Sequence, residues 1–195
     1  MVEPAPATKK PASPARTFFE WLRALLYAAV LFFLLLQFVL GWYLVPTPSM
    51  EPTIRGAGKD HPGDTVLVDK LTYRLRTPRR GEVVVFWPLA ASKHPFVKRL
   101  AGLPGETIEI RDGRVLVNGI PVDLVGGQGP LRYENLPPYG TRERPVRIPA
   151  DSYFFLGDNT EHSDDSRHWG FVPAKNIFGR ALVVFWPLDR VGWIR

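Results

Sequence analysis

A mostly β, antiparallel domain preceded by one membrane-crossing helix is the fold class that this 195-residue sequence predicts. Three observations carry the expectation. The residues from Ala24 to Val45 are almost wholly apolar, with Gln37 the one strongly polar interruption. After Thr53 the chain breaks into short β-branched and aromatic runs punctuated by Gly and Pro, the pattern of antiparallel strands. No later segment holds a helical period of any length.

In chain order, residues 1–20 begin with a Pro- and Ala-rich stretch that has almost no large apolar side chains. Such a segment buries too little surface to offset its ordering entropy, so a disordered tail is expected there. The anchor is expected over 21–45. Its run of about 22 apolar residues makes a helix of about 33 Å, against a bilayer core of about 30 Å. Trp21 and Tyr27 lie toward one end and Trp42 and Tyr43 at the other, as aromatic belts do. Lys9, Lys10, Arg16 and Arg23 precede the run and only Arg55 and Lys59 follow closely, which puts the N-terminus in the cytoplasm and residues 46–195 outside. A cleavable leader fits less well, because Pro46 and Pro48 stand where a small-x-small site would be.

The predicted strands are 64–70, 81–87, 96–102, 106–110, 113–119, 153–157 and 180–186. Asp112-Gly113 and Asn118-Gly119 bracket one of them and call for two tight turns. Residues 125–145 are expected to form a long irregular loop. VVFWPL occurs at both 84–89 and 183–188, read here as two strands ending in the same pattern. Trp87, Trp186 and Trp193 would supply aromatic surface or core.

The composition also excludes chemistry. With no cysteine there is no disulfide framework, thiolate metal site or cysteine nucleophile. The net charge of +6 favours anionic partners. No nucleic-acid fingerprint accompanies it, so membrane lipids are the expected partner and nucleic acid is not. No metal or organic cofactor is implied.

Ser49, a few residues past the apolar run in PTPSMEPT, is the candidate nucleophile. There is no G-x-S-x-G elbow around it. The histidines 61, 94, 162 and 168 lie in polar, turn-rich surroundings, and His162 is the one to test as an alternative base. Lys98 sits in HPFVKRLAG, where a strand would carry it beside buried surface. A lysine acts as a base only when neutral, and desolvation by apolar neighbours lowers its pKa toward that state. Spacing alone favours a lysine that snorkels from a strand.

The blocks PTPSMEPT, GDTVLVDK, RGEVVVFWP followed by FVKRLAGLPGE, and GDNTEHSDDSRHWGFVP, in that order after one N-terminal span, resemble bacterial type I signal peptidase, a family of membrane proteases with a Ser/Lys dyad. The resemblance runs from the anchor to Arg195, outside the tail and the 125–145 loop. It implies removal of N-terminal signal peptides from exported preproteins at the plasma (inner) membrane. It assigns Ser49 as nucleophile and Lys98 as general base, with the Thr47 hydroxyl and the Ser49 backbone N–H as oxyanion hole. Pro48 replaces a common glycine.

The same resemblance implies that Ser163 hydrogen-bonds the Lys98 amine and that Asp165 and Arg167 form a supporting salt bridge. Asp158 and Asn159 read as turn-formers. Pockets for small residues, three and one positions before the cut, would be lined by Val45, Met50, Ile54, Val85, Phe96 and Val97. A self-cleaving repressor-type Ser/Lys protease would carry a DNA-binding helix pair where the apolar span stands. The alternative from another class is a catalytically inactive, membrane-anchored β-domain that binds preproteins.

Overall fold

The computed structural model describes residues 14–88, 92 and 94–195. It divides into a first unit ending at Phe38 and a second running from Val39 to Arg195. Within the first, helix α1 spans Pro14–Phe38. Proline suits a first helical position, because its missing N–H is one the helix cannot use. The 25 residues of α1 make it about 37 Å long, none of them is buried, and by length and composition it can cross a membrane.

The boundaries differ from expectation at both ends. Residues 14–20, assigned to the tail, are helical, while residues 1–13 of that tail lie outside the described residues. The helix stops at Phe38 rather than Val45, and Leu40–Leu44 is a strand, β1. Hydropathy is continuous through LGWYLV, so it cannot separate a helix from an apolar strand. Gly41 is a poor helix former, whereas Trp42 and Tyr43 favour strands. β1 also finds a full ladder, pairing antiparallel with β2 (Thr65–Asp69) from Leu40 opposite Asp69 to Leu44 opposite Thr65.

The second unit is a curled, antiparallel β structure. A one-turn helix, α2 (Thr72–Leu75), follows β2, and then come β3 (Val83–Phe86), β4 (Phe96–Gly102), β5 (Thr107–Arg111), β6 (Arg114–Val117) and β7 (Ile120–Val122). Next are the very short β8 (Val125–Gly126), β9 (Gly129–Pro130) and β10 (Val146–Arg147), then β11 (Ser152–Leu156). A second single turn, α3 (Ser166–Trp169), precedes β12 (Val172–Pro173), the long β13 (Ile177–Trp186) and β14 (Gly192–Trp193). The main sheet runs β1-β2-β13-β3-β4-β11-β12, with β14 also on β13. A second sheet runs β10-β5-β6-β7.

That second sheet owes its register to the two predicted turns. Asp112 and Gly113 have φ of 53° and 77°, and Asn118 and Gly119 have 51° and 80°. Positive φ at both central residues is what a two-residue hairpin needs to match strand twist. Of the expected loop 125–145, the start is a small β8–β9 hairpin and the rest is irregular apart from isolated bridges at Thr141. The first residues of the two VVFWPL copies, Val84–Phe86 in β3 and Val183–Trp186 in β13, fall in neighbouring antiparallel strands without facing each other in register.

Three apolar clusters make the core. β3, with VVVF buried throughout, explains how two of them share one sheet. Its alternate side chains go to opposite faces, so Val83 and Val85 join one cluster and Val84 and Phe86 the other. Trp87, Trp186 and Trp193 all remain exposed, at 43%, 49% and 75%.

Candidate active site

Ser49 sits in a single 3-10 turn, Pro48–Met50, immediately after Thr47 in extended backbone. Pro48 suits the start of that turn for the same reason that proline suits a helix start. Glu51 N–H donates to the Pro48 carbonyl and Ile54 N–H to the Met50 carbonyl, so the chain folds back on itself here. Lys98 is in β4, which pairs with β3 through Phe96–Arg99 and with β11 only from Arg99 onward. β11 leaves the sheet at Leu156, and the next residues turn onto the Ser49 segment instead. Asn159 N–H donates to the Ser49 carbonyl at 3.1 Å, and its side-chain amide to the Pro48 carbonyl at 3.1 Å. Gly157 makes that approach possible, since a Cβ there would stand 2.1 Å from Ser163 Oγ and 2.5 Å from the Ser49 carbonyl oxygen.

The outcome is a direct contact. Lys98 Nζ donates to Ser49 Oγ at 2.5 Å, and both residues are buried, at 4% and 6% exposure. Burial holds the Lys98 amine down from its ordinary value of 10.5 to about 8. The carboxylates of Asp165, Asp164 and Asp158 oppose that shift, and Arg167 adds to it. The Phe96 ring, 5.8 Å from Nζ, is part of the apolar wall. Thr47 Oγ1 lies 3.3 Å from Ser49 Oγ on the exposed side. A cleft of about 670 Å³ opens over the pair.

The expected pocket residues divide. Val45, Phe96 and Val97 line the cleft. Met50, Ile54 and Val85 do not; each is fully buried, in the same apolar cluster as Val45 and Val97. Val85 faces Val97 across the β3–β4 ladder, and Met50 and Ile54 close the turn behind Ser49, which leaves none of the three a free face. Sequence reading did not select Trp42, Tyr43 and Leu44, which also line the cleft because β1 is a strand there. His94, His162 and Asp164 stand at its polar side. The hydrogen-bond partners of Ser49 Oγ among the described residues are Lys98 and Thr47, not His162.

Ser163 departs from expectation. It is buried, and its hydroxyl has no hydrogen-bond partner among the described residues, so the implied bond to Lys98 is not made. Asp165 and Arg167 do pair, bidentate, with both side chains fully buried. The pair is also wired to its surroundings: Asp165 accepts from Gly157 N–H, and Arg167 donates to the Thr160 carbonyl. It therefore holds the 157–165 loop that grips Ser49, rather than sitting at the surface.

Asp158 is more than a turn-former. Its carboxylate, 3% exposed, takes two hydrogen bonds from the Arg99 guanidinium at 2.7 and 2.5 Å and a third from the Thr53 hydroxyl. No sequence signal marked Arg99 beyond its place next to Lys98. Among the described residues no group of His, Asp and Glu is arranged to hold a metal ion.

The family model described as signal peptidase, peptidase S26, matches residues 18–186. A probable signal peptidase I-2 of Synechocystis sp. is 40% identical over 189 residues, covering 94% of this chain and 80% of that protein. A signal peptidase I of Leptolyngbya laminosa is 38% identical over 197 residues, covering 97% of this chain and 89% of that protein. A signal peptidase I of Bacillus licheniformis is 31% identical over 191 residues, covering 94% and 96%.

Proposed function

We infer the function from one premise: the chain belongs to the signal peptidase family, peptidase S26, and is a peptidase of preproteins that carry signal peptides. The finer reading is a membrane-anchored serine endopeptidase that cuts after a small-x-small site with a Ser49–Lys98 dyad. The observation that carries it is the buried 2.5 Å contact between Lys98 Nζ and Ser49 Oγ, at the floor of a cleft. A lysine held down to about 8 is partly neutral near neutral pH, which is what a base requires.

In this reading the neutral Lys98 amine takes the Ser49 proton as Ser49 Oγ attacks the scissile carbonyl. The oxyanion then receives hydrogen bonds from the Thr47 hydroxyl and the Ser49 backbone N–H. Lys98, now an ammonium, returns its proton to the leaving amine as the peptide bond breaks, leaving the signal peptide esterified to Ser49. Lys98 next deprotonates a water that attacks the ester, and Ser49 regains its proton when the acid is released. Val45, Phe96 and Val97 would meet the small side chains one and three positions before the cut.

The helix α1 would hold the enzyme in the plasma membrane with its N-terminus cytoplasmic, on the strength of the cations before the span. Ser49 follows Phe38 by few enough residues to work near the bilayer surface, where the cleavage site of a signal peptide lies. Anchoring confines the search for substrate to that surface.

The test is cleavage of a purified preprotein by the full chain in detergent and lipid, with the cut located by N-terminal sequencing of the product. Wild type is expected to cut once after a small-x-small site, and folded Ser49→Ala is expected to cut nothing. A wild type that binds the preprotein without cutting it would move the inactive binding domain to the front.

A further inference from the structure

Four segments of the second unit meet at the Asp158 carboxylate. β4 contributes Arg99, which follows Lys98 directly and makes the two bonds described above. The 157–159 turn contributes Asp158 itself, next to the Asn159 that grips Ser49. The Ser49 segment contributes Thr53, whose hydroxyl proton goes to Asp158 Oδ2. The fourth is the β8–β9 hairpin, where Gly127 N–H donates to Thr53 Oγ1 at 2.8 Å.

One hydroxyl therefore has two directed tasks. It gives its proton to the carboxylate and accepts from the hairpin with a lone pair, and both require an oxygen at that point. The hairpin is shaped to reach it. A Cβ on Gly126 would stand 2.9 Å from Leu131 Cδ2, 3.1 Å from Thr53 Oγ1 and 3.2 Å from Asp158 Oδ2. A Cβ on Gly127 would stand 3.2 Å from Thr53 Cα. Glycine at both places lets backbone lie against the Ser49 segment.

We propose that Thr53 is a positioning residue for Ser49, and that the β8–β9 hairpin is the strap that holds Thr53 against Asp158. Thr53 touches no reacting atom. It fixes the far end of the turn that carries Ser49, while Asn159 fixes the near end. Both ends are thereby referred to adjacent residues, Asp158 and Asn159. The proposal assigns the start of the 125–145 stretch to the reaction, and it rests on the reading of Ser49 as nucleophile.

The experiment is steady-state cleavage of a preprotein by the full chain in detergent and lipid, for wild type, Thr53→Val, Thr53→Ser and Gly126→Val. It is run at a temperature where circular dichroism reports each variant folded. Valine keeps the shape and removes both hydrogen bonds; serine restores both. Loss of alignment at a nucleophile costs about ten- to a hundredfold in kcat. Thr53→Val is expected to lose that much with KM within about twofold of wild type, Thr53→Ser to recover to within about threefold, and Gly126→Val to resemble Thr53→Val.

A folded Thr53→Val with wild-type kcat overturns the proposal, as does a Thr53→Ser no better than the valine variant. If Thr53→Val does not fold, a Gly126→Val with wild-type kcat overturns it, and a Gly126→Val low in kcat alone supports it. A wild type that cuts nothing overturns the peptidase reading instead, so the two failures are distinguishable.

Discussion

Replacing Lys98 with methionine is expected to abolish cleavage and to make the protein more stable at neutral pH. Methionine keeps the length of the side chain and removes the amine that burial penalises. The shift from 10.5 to about 8 corresponds to about 3 kcal/mol against the protonated form in the folded state. Losing the hydrogen bond to Ser49 returns about 1 kcal/mol of that, for a net gain of about 2 kcal/mol.

The sign with pH follows from proton counting. Below about 8 the amine is protonated in both states, so wild type carries the whole penalty. Between about 8 and 10.5 the unfolded chain still holds the proton that the folded one has released, so wild-type stability rises with pH. Lys98→Met has no such group, and its advantage should shrink by about 2 kcal/mol between about pH 7 and about pH 9.5. Urea unfolding of both proteins in detergent, followed by tryptophan fluorescence at several pH values, measures the difference directly. An advantage that stays constant over that range would refute the reasoning, because Lys98 would then not titrate where its burial puts it.

Two further outcomes are expected. The rate constant kcat/KM of wild type should rise with pH, with a slope of one on logarithmic axes and a midpoint close to the Lys98 value of about 8, when initial rates of preprotein cleavage are followed across that range. Breaking the fully buried Arg99–Asp158 pair with Arg99→Leu should cost about 3–5 kcal/mol in denaturant unfolding, and adding Asp158→Asn should recover part of it, since most of the loss is the stranded carboxylate.

Much of this protein could be read from its residues, and the failures have physical causes. β4 matches its predicted span of 96–102, because FVKRLAG is bounded by proline on one side and a Leu-Pro-Gly turn on the other. The Asn-Gly and Asp-Gly turns were legible because only a few residue types tolerate their backbone. The end of α1 was not, because Leu40–Leu44 is as apolar as the helix before it and its partner, β2, lies over twenty residues away in the chain. Met50, Ile54 and Val85 looked like pocket walls because adjacency in sequence says nothing about which side of a wall a side chain faces. Asp158 looked like a turn residue because its arginine is 59 positions away, and Thr53 looked like nothing at all.

The order in which the site's parts occur along the chain has a consequence for synthesis. Ser49 is made early, but the Lys98 amine that faces it comes 49 residues later, and the amide that clasps the Pro48 carbonyl comes 111 residues after that proline. A ribosome that has delivered α1 and Ser49 has therefore made the Ser49 hydroxyl without the amine that contacts it in the folded chain. Only when β11 and the turn after it add to β4 are the last hydrogen bonds to the Ser49 segment available. Under the proposed dyad, the Ser49 segment is thus fully held only after the chain has been made past Asn159.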